Sequence, residues 1–192
     1  MAKRILVILA HPANASYCAA LSAAYVAAAS AAGHEVRLLR LGELEFDPVL
    51  HEGYQRIQAL EPDLQAAQAA ISWAEHLCLV FPIWWGGVPA LLKGFLDRLF
   101  LPGFAFKYRA GAAFPDQLLS GRTAHLLVPM DTPPWYFKWV YRMPAIHQLE
   151  KTTLAFCGIK PLKTLMFGPL ISSTLAQRQA WLGKASALAA QI

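Results

Sequence analysis

Apolar runs and turn residues alternate along the whole chain. "RILVILA" (4–10) and "HLCLVFP" (76–82) are almost unbroken apolar runs, the pattern of a strand covered on both faces. "HEVRLLRL" (34–41), "RTAHLLVPM" (122–130) and "KPLKTLMFG" (160–168) predict three more strands, and Gly33, Gly121 and Gly158 stand just ahead of them. Helical patterns fill the intervals. Residues 16–32 are alanine-rich and start at Ser16, a good N-cap. Residues 61–74 open with Glu-Pro-Asp, and 88–100 place Pro89 in a first turn. Residues 145–157 and 174–191 complete the set, the latter with Thr174 as its cap.

Strands alternating with helices predict a doubly wound α/β domain. Five strands and five helices match a flavodoxin-like three-layer sandwich with a five-stranded parallel sheet of order 2-1-3-4-5. Neither a repeat nor a low-complexity linker divides the chain, so residues 1–192 read as one domain. Ligands of such sheets lie at the carboxyl ends of the strands, near the switch point. That directs attention to 11–16, 82–88 and 130–144.

Composition adjusts this picture in three ways. Apolar residues make up 56% and charged residues only 15%, which is rich for a soluble domain. The longest apolar region, 69–101, is broken by Glu75, His76, Lys93, Asp97 and Arg98, so no transmembrane segment is expected. A subunit that hides apolar surface in an oligomer fits better. The N-terminal "MAKRILVILAHP" could be taken for a signal peptide, but it reads as the first strand, and the expected location is cytoplasmic. Cys18, Cys78 and Cys157 are odd in number and far apart, which predicts neither a disulfide nor a metal site. The net charge is +5 with scattered basic residues. No nucleic-acid motif accompanies it, whereas a phosphate-bearing ligand would account for part of it.

The three loops carry unusual chemistry. "HPANAS" (11–16) lacks glycine, yet a helix N-terminus binds anions without it, and His11, Asn14 and Ser16 add side-chain donors. The alternative is a capped connection. "FPIWWGGVPALLKGFLDRLF" (81–100) sets Trp84 and Trp85 beside Gly86 and Gly87, as for a planar ligand approached closely by backbone, or for a turn packed on the next helix. "PMDTPPWYFKWVYRMP" (129–144) holds five aromatics, two cations and four prolines. It reads as a lid over an aromatic ligand, a dimer contact, or a peripheral membrane contact through 133–144. Its prolines argue against a regular helix in its first part.

Together "LAHPANASYCAAL", "FPIWWGGVPALLKGFLDRLFLPGFAFKY" and "FCGIKPL" resemble the flavodoxin-fold NAD(P)H:quinone oxidoreductases, the DT-diaphorase-like family. The resemblance covers roughly residues 4–168. It implies a homodimer with bound FAD, or alternatively FMN, that takes hydride from NAD(P)H and passes it to a quinone or similar planar acceptor. It places His11, Ser16 and Tyr17 at the flavin phosphates, and Pro82, Ile83, Trp84, Trp85 and Gly86 along the ring system. Phe106 and Tyr108 match a tyrosine pair that reaches the substrate across the dimer interface, and with Trp85 they are the expected catalytic residues. Asp97 matches an acidic residue directed at the partner's flavin, or simply pairs with Lys93.

Where the family has a Thr-Thr-Gly-Gly turn, this chain has Met130, Asp131, Thr132, Pro133 and Pro134. Prolines supply no N–H, so contact to the flavin pyrimidine falls to Asp131 and Thr132, with Lys138 or Arg142 as nearby cations. His147 is a candidate proton donor to the acceptor. A second reading is an ancillary flavin-binding subunit of a membrane transport system, since some family members are such subunits.

Overall fold

The computed structural model describes all 192 residues. Five parallel strands form the central sheet: β1 (Arg4–Leu9), β2 (Glu35–Arg40), β3 (His76–Val80), β6 (Thr123–Pro129) and β7 (Lys160–Phe167), in the order β2-β1-β3-β6-β7. Strands β4 (Phe106–Lys107) and β5 (Asp116–Gln117) form a separate antiparallel hairpin that the apolar pattern did not announce, being only two residues each. The helices are α1 (Tyr17–Ala31), α2 (Pro62–Trp73), α3 (Ala90–Leu99), α4 (Pro134–Trp139), α5 (Pro144–His147) and α6 (Leu175–Ala189). The predicted sandwich and its strand order are therefore observed.

Alternate residues of the strands face opposite layers. Ile5, Val7, Leu9, Cys78, Val80 and Leu127 pack under α1 and α6. Leu6, Ile8, Leu77, Leu79, Leu126 and Val128 belong to the larger core beneath α2 and α3. All three cysteines are free and buried, as small apolar residues. Pro161 is tolerated because β7 is an edge strand.

Two departures from the predicted elements have local causes. Pro133 and Pro134 do not prevent α4. Pro134 occupies the first helical position, where a missing N–H costs nothing. The helix predicted over 145–157 is instead α5 followed by a π-helical segment, Gln148–Leu154. The Thr152 and Thr153 hydroxyls both donate to the Gln148 carbonyl, at 2.8 and 3.0 Å, in competition with its ordinary helical partner.

Residues 44–61 run over α3 and are fixed there by Arg98. Its side chain is fully buried, and Nη2 donates to Glu61 Oε2 at 2.8 Å and to the Ala59 carbonyl at 2.9 Å. Gly94 permits the approach, because a Cβ there would lie 2.5 Å from Pro48. At the amino-terminal edge of the sheet, Tyr25 Oη bridges His125 Nδ1 (2.8 Å) and His76 Nε2 (3.1 Å), and His76 Nδ1 meets Thr123 Oγ1 at 2.7 Å. Burial pushes the His76 pKa down to about 3 and that of His125 to about 4.

Candidate functional site

Parallel strands bring the segments after β1, β3, β6 and β7 to one end of the sheet. Main-chain bonds tie them together. Ala10 N–H donates to the Val80 carbonyl (2.8 Å), Ile83 N–H to Pro129 (3.2 Å), and Leu170 N–H to Met130 (2.9 Å). Two adjoining clefts result, with Ile83 common to both.

His11, Ser16, Tyr17, Pro82, Ile83, Trp84 and Asp131 line the first cleft, of about 140 Å³. His11 Nδ1 lies 3.0 Å from the Ala13 main chain, and its ring meets Trp84 edge-on at 5.7 Å, leaving Nε2 free. Ser16 caps α1, its oxygen accepting the Ala19 N–H at 3.2 Å, so the hydroxyl proton remains available. The Tyr17 and Cys18 N–H groups stand in the first turn, where no intrahelical acceptor exists. No acidic residue occupies that turn. These donors converge on a helix N-terminus, an arrangement suited to a phosphate.

Two members of this group differ from expectation. The Tyr17 phenol donates to the Arg178 carbonyl at 2.8 Å, so only its main chain and ring edge serve the cleft. Asn14 donates to Glu43 at 2.8 Å and is not free for an anion. Cys18 lines the cleft, but burial pushes its thiol up to about 12, which keeps it inert.

Ile83, Trp85, Gly86 and Thr132 line the second cleft with Tyr141 and Pro144. Its floor is a tight turn. Trp84 N–H donates to the Gly87 carbonyl at 3.1 Å, and Gly87 N–H returns to Trp84 at 2.9 Å. Both central residues take positive φ, Trp85 at 51° and Gly86 at 75°. Gly86 and Gly87 are the two residues here to which positive φ costs nothing. Gly87 instead closes the ladder, and Trp85 takes the left-handed position despite its side chain. Trp85 is fully exposed, at 106%. A strained, solvent-facing indole gains nothing from the fold.

Donors suited to a flavin edge survive beside it. The N–H groups of Trp85, Gly86, Asp131 and Thr132 make no hydrogen bond within the chain, whereas Met130 N–H is held by Phe167. Asp131 Oδ1 accepts from Ile171 N–H at 2.9 Å, which holds the loop after β6 against the loop after β7. The residues therefore fit a flavin nucleotide: an anion-binding helix end, a planar aromatic wall and free amides at its rim.

Phe106 and Tyr108 are not brought to this site within one chain. Their rings meet at 5.3 Å and line a separate cleft of about 570 Å³ with Asp97, Phe100 and Phe156. Asp97 binds Lys93 Nζ through both oxygens, at 2.7 and 2.6 Å. Lys138 and Arg142 are exposed and line neither flavin-side cleft, and neither does His147. Leu170, which also lines the first cleft, comes from the loop after the last strand. The rule that placed the other three loops applies to it equally. Pro129, Met130, Tyr141 and Pro144 were also missed, although each stands in the aromatic third segment.

A family model described as a flavodoxin-like fold matches residues 3–189. The chain is 29% identical over 189 residues to NAD(P)H dehydrogenase [quinone] 1 of Cavia porcellus, a match covering 84% of this chain and 66% of that protein. It is 29% identical over 170 residues to an uncharacterized NAD(P)H oxidoreductase of Haemophilus influenzae, covering 86% and 83%. Among solved structures, the NAD(P)H:quinone oxidoreductase of Methanothermobacter marburgensis superposes with a TM-score of 0.84 at 21% identity, over 99% of this chain and 98% of the other.

Proposed function

From a chain that belongs to the flavodoxin-like NAD(P)H:quinone oxidoreductases, a family of enzymes, we infer a flavin-dependent NAD(P)H oxidoreductase acting on a quinone or similar planar acceptor. One observation carries this reading: the exposed Trp85 indole is held in a left-handed turn that shares a cleft with free amides, next to a donor-lined helix end. A bound flavin would supply acceptance of a hydride from NAD(P)H and its return to the acceptor.

The chain's own residues bind, orient and exclude. His11 Nε2, the Ser16 hydroxyl and the first amides of α1 hold the phosphate. Pro82, Ile83, Trp84, Trp85 and Gly86 form the wall along the ring, and the Asp131 and Thr132 amides meet its polar edge. Trp85, Thr132 and Tyr141 bound the slot for nicotinamide and acceptor in turn, and its two aromatic side chains favour flat molecules. The flavin in this reading is FAD, with FMN as the other outcome of extraction.

A homodimer completes the scheme: within one chain Phe106 and Tyr108 line a separate cleft, and a second copy would bring them to the Trp85 side. The ancillary-subunit reading gains no observation from the site. No helix is long and apolar enough to cross a membrane.

The test is NAD(P)H oxidation with a water-soluble quinone after loading with FAD or FMN, alongside light scattering for mass. Turnover that needs flavin, by a dimer, supports the reading. A flavin-loaded protein unable to oxidise NAD(P)H with any quinone overturns it.

A further inference from the structure

Helix α4 and the turn after it expose an unusual set of side chains. Trp135, Trp139, Val140 and Tyr141 are 63, 71, 51 and 50% exposed. They are not loose. Phe137, fully buried, anchors the helix, and its carbonyl accepts the Met143 N–H at 3.1 Å. Tyr141 packs edge-on against Tyr136 at 5.0 Å. Arg142 and Met143 take φ of 59° and 51°, so two consecutive left-handed residues close the segment. Two indoles are thus held outward on a rigid frame, which is costly in water unless something covers them.

Charge identifies the cover. Lys138 and Arg142 stand among these aromatics, and neither makes an ion pair or a hydrogen bond to the chain. Lys138 Nζ lies 4.9 Å from the Trp139 ring centroid, its charge beside the indole. No acidic residue occurs from Thr132 to Leu149. Trp and Tyr at the level of lipid headgroups, flanked by Lys and Arg, are the anchors of membrane-interface segments. A second copy fits less well. A contact centred on this patch at a two-fold axis would set the uncompensated positive charge against itself.

We propose that α4 and the turn to Arg142 dock the protein on the surface of an anionic lipid bilayer, with the indoles in the interface and the two cations on headgroup phosphates. Tyr141 belongs to both this patch and the Trp85 cleft. Docking therefore points the cleft mouth at the lipid, so that a quinone dissolved in the bilayer enters without crossing water. This last consequence rests on the function proposed above; the docking itself does not.

The experiment is co-sedimentation of the full-length, flavin-loaded protein with sucrose-filled vesicles of phosphatidylcholine alone or with 30% phosphatidylglycerol added. Binding is read from protein in the pellet, with no NAD(P)H present. The expected result is binding to the anionic vesicles, weakened by salt. Lys138→Ser with Arg142→Ser lowers the partition constant by about 25-fold, roughly 5-fold per charge near the surface. Trp135→Ser with Trp139→Ser weakens binding at both low and high salt. These side chains are exposed, and circular dichroism checks that each variant is folded. No binding by the unaltered protein overturns the proposal, as does binding that survives both double substitutions. So does a loss of self-association, seen by light scattering, in place of a loss of vesicle binding; the cover is then a second copy. Flavin absorbance and turnover with a water-soluble quinone are recorded on the same samples. A flavin-containing, active protein that ignores vesicles refutes the docking and leaves the enzyme reading standing.

Discussion

Replacing Trp85 with glycine should make the protein more stable and less active at once. In the turn that spans Trp84 to Gly87, Trp85 has φ of 51° and its side chain is fully exposed. Left-handed backbone costs a residue with a Cβ roughly 1–2 kcal/mol, and glycine nothing. Against that gain stands the larger entropy of glycine in the unfolded chain, about 0.5–1 kcal/mol. No buried packing is lost, so the net stabilisation is about 0.75 kcal/mol from the midpoints of the two ranges. For a domain of this size that raises Tm by roughly 2–3 °C. Turnover should fall, because in the proposed function Trp85 walls the acceptor slot, while the proposed phosphate donors His11 and Ser16 are untouched. Thermal unfolding of the flavin-free protein and steady-state kinetics with saturating flavin measure the two effects. A Tm lowered by several degrees would show that the indole packs against something in the native protein. Unchanged turnover would remove Trp85 from the slot.

Ser16→Ala removes the α1 cap and should cost about 1 kcal/mol of stability, with weaker flavin retention measured by equilibrium dialysis; unchanged retention would take this hydroxyl away from the phosphate. His76 and His125 have folded pKa values of about 3 and about 4, below the ordinary value of 6.5. The unfolded chain therefore binds more protons between those limits. Stability is full above about pH 6.5 and falls as the pH drops toward 4, by up to about 1.4 kcal/mol per pH unit for each histidine. Urea midpoints across that range should flatten in His76→Gln, and an unchanged slope would place the loss elsewhere. Arg98→Met leaves Glu61 and two carbonyls without their partner and should destabilise by about 3 kcal/mol, with proteolysis at residues 44–61 as the readout; resistance there would mean that the segment holds without it.

The sheet was legible because β1 and β3 are apolar at nearly every position, as only strands covered on both faces are. Strand order followed from the alternation with helices. The glycine-free turn was legible as a capped helix start, since Ser16 is where a cap belongs. What Tyr17 does was not, because its phenol finds an acceptor on α6, 161 residues away, and no local pattern encodes that. The Trp85 turn was half legible. Two adjacent glycines signal positive φ, but they do not say that the ladder closes one residue later and puts the indole in the strained position. Helix α4 escaped because prolines were weighed as helix breakers, and the same residue type is favourable at a first turn. Phe106 and Tyr108 line a cleft of their own within one chain, and their approach to the Trp85 slot belongs to the proposed homodimer.

The proposed function requires that this end of the sheet hold a flavin that NAD(P)H reduces. An absorbance spectrum of the purified protein, recorded before and after anaerobic addition of NADH or NADPH, tests it most directly. The expected result is a yellow protein whose flavin bands bleach on addition and return with a quinone. A colourless protein that takes up neither FAD nor FMN would contradict it, and would leave "HPANAS" as a capped connection and Trp85 as a strained residue without a role.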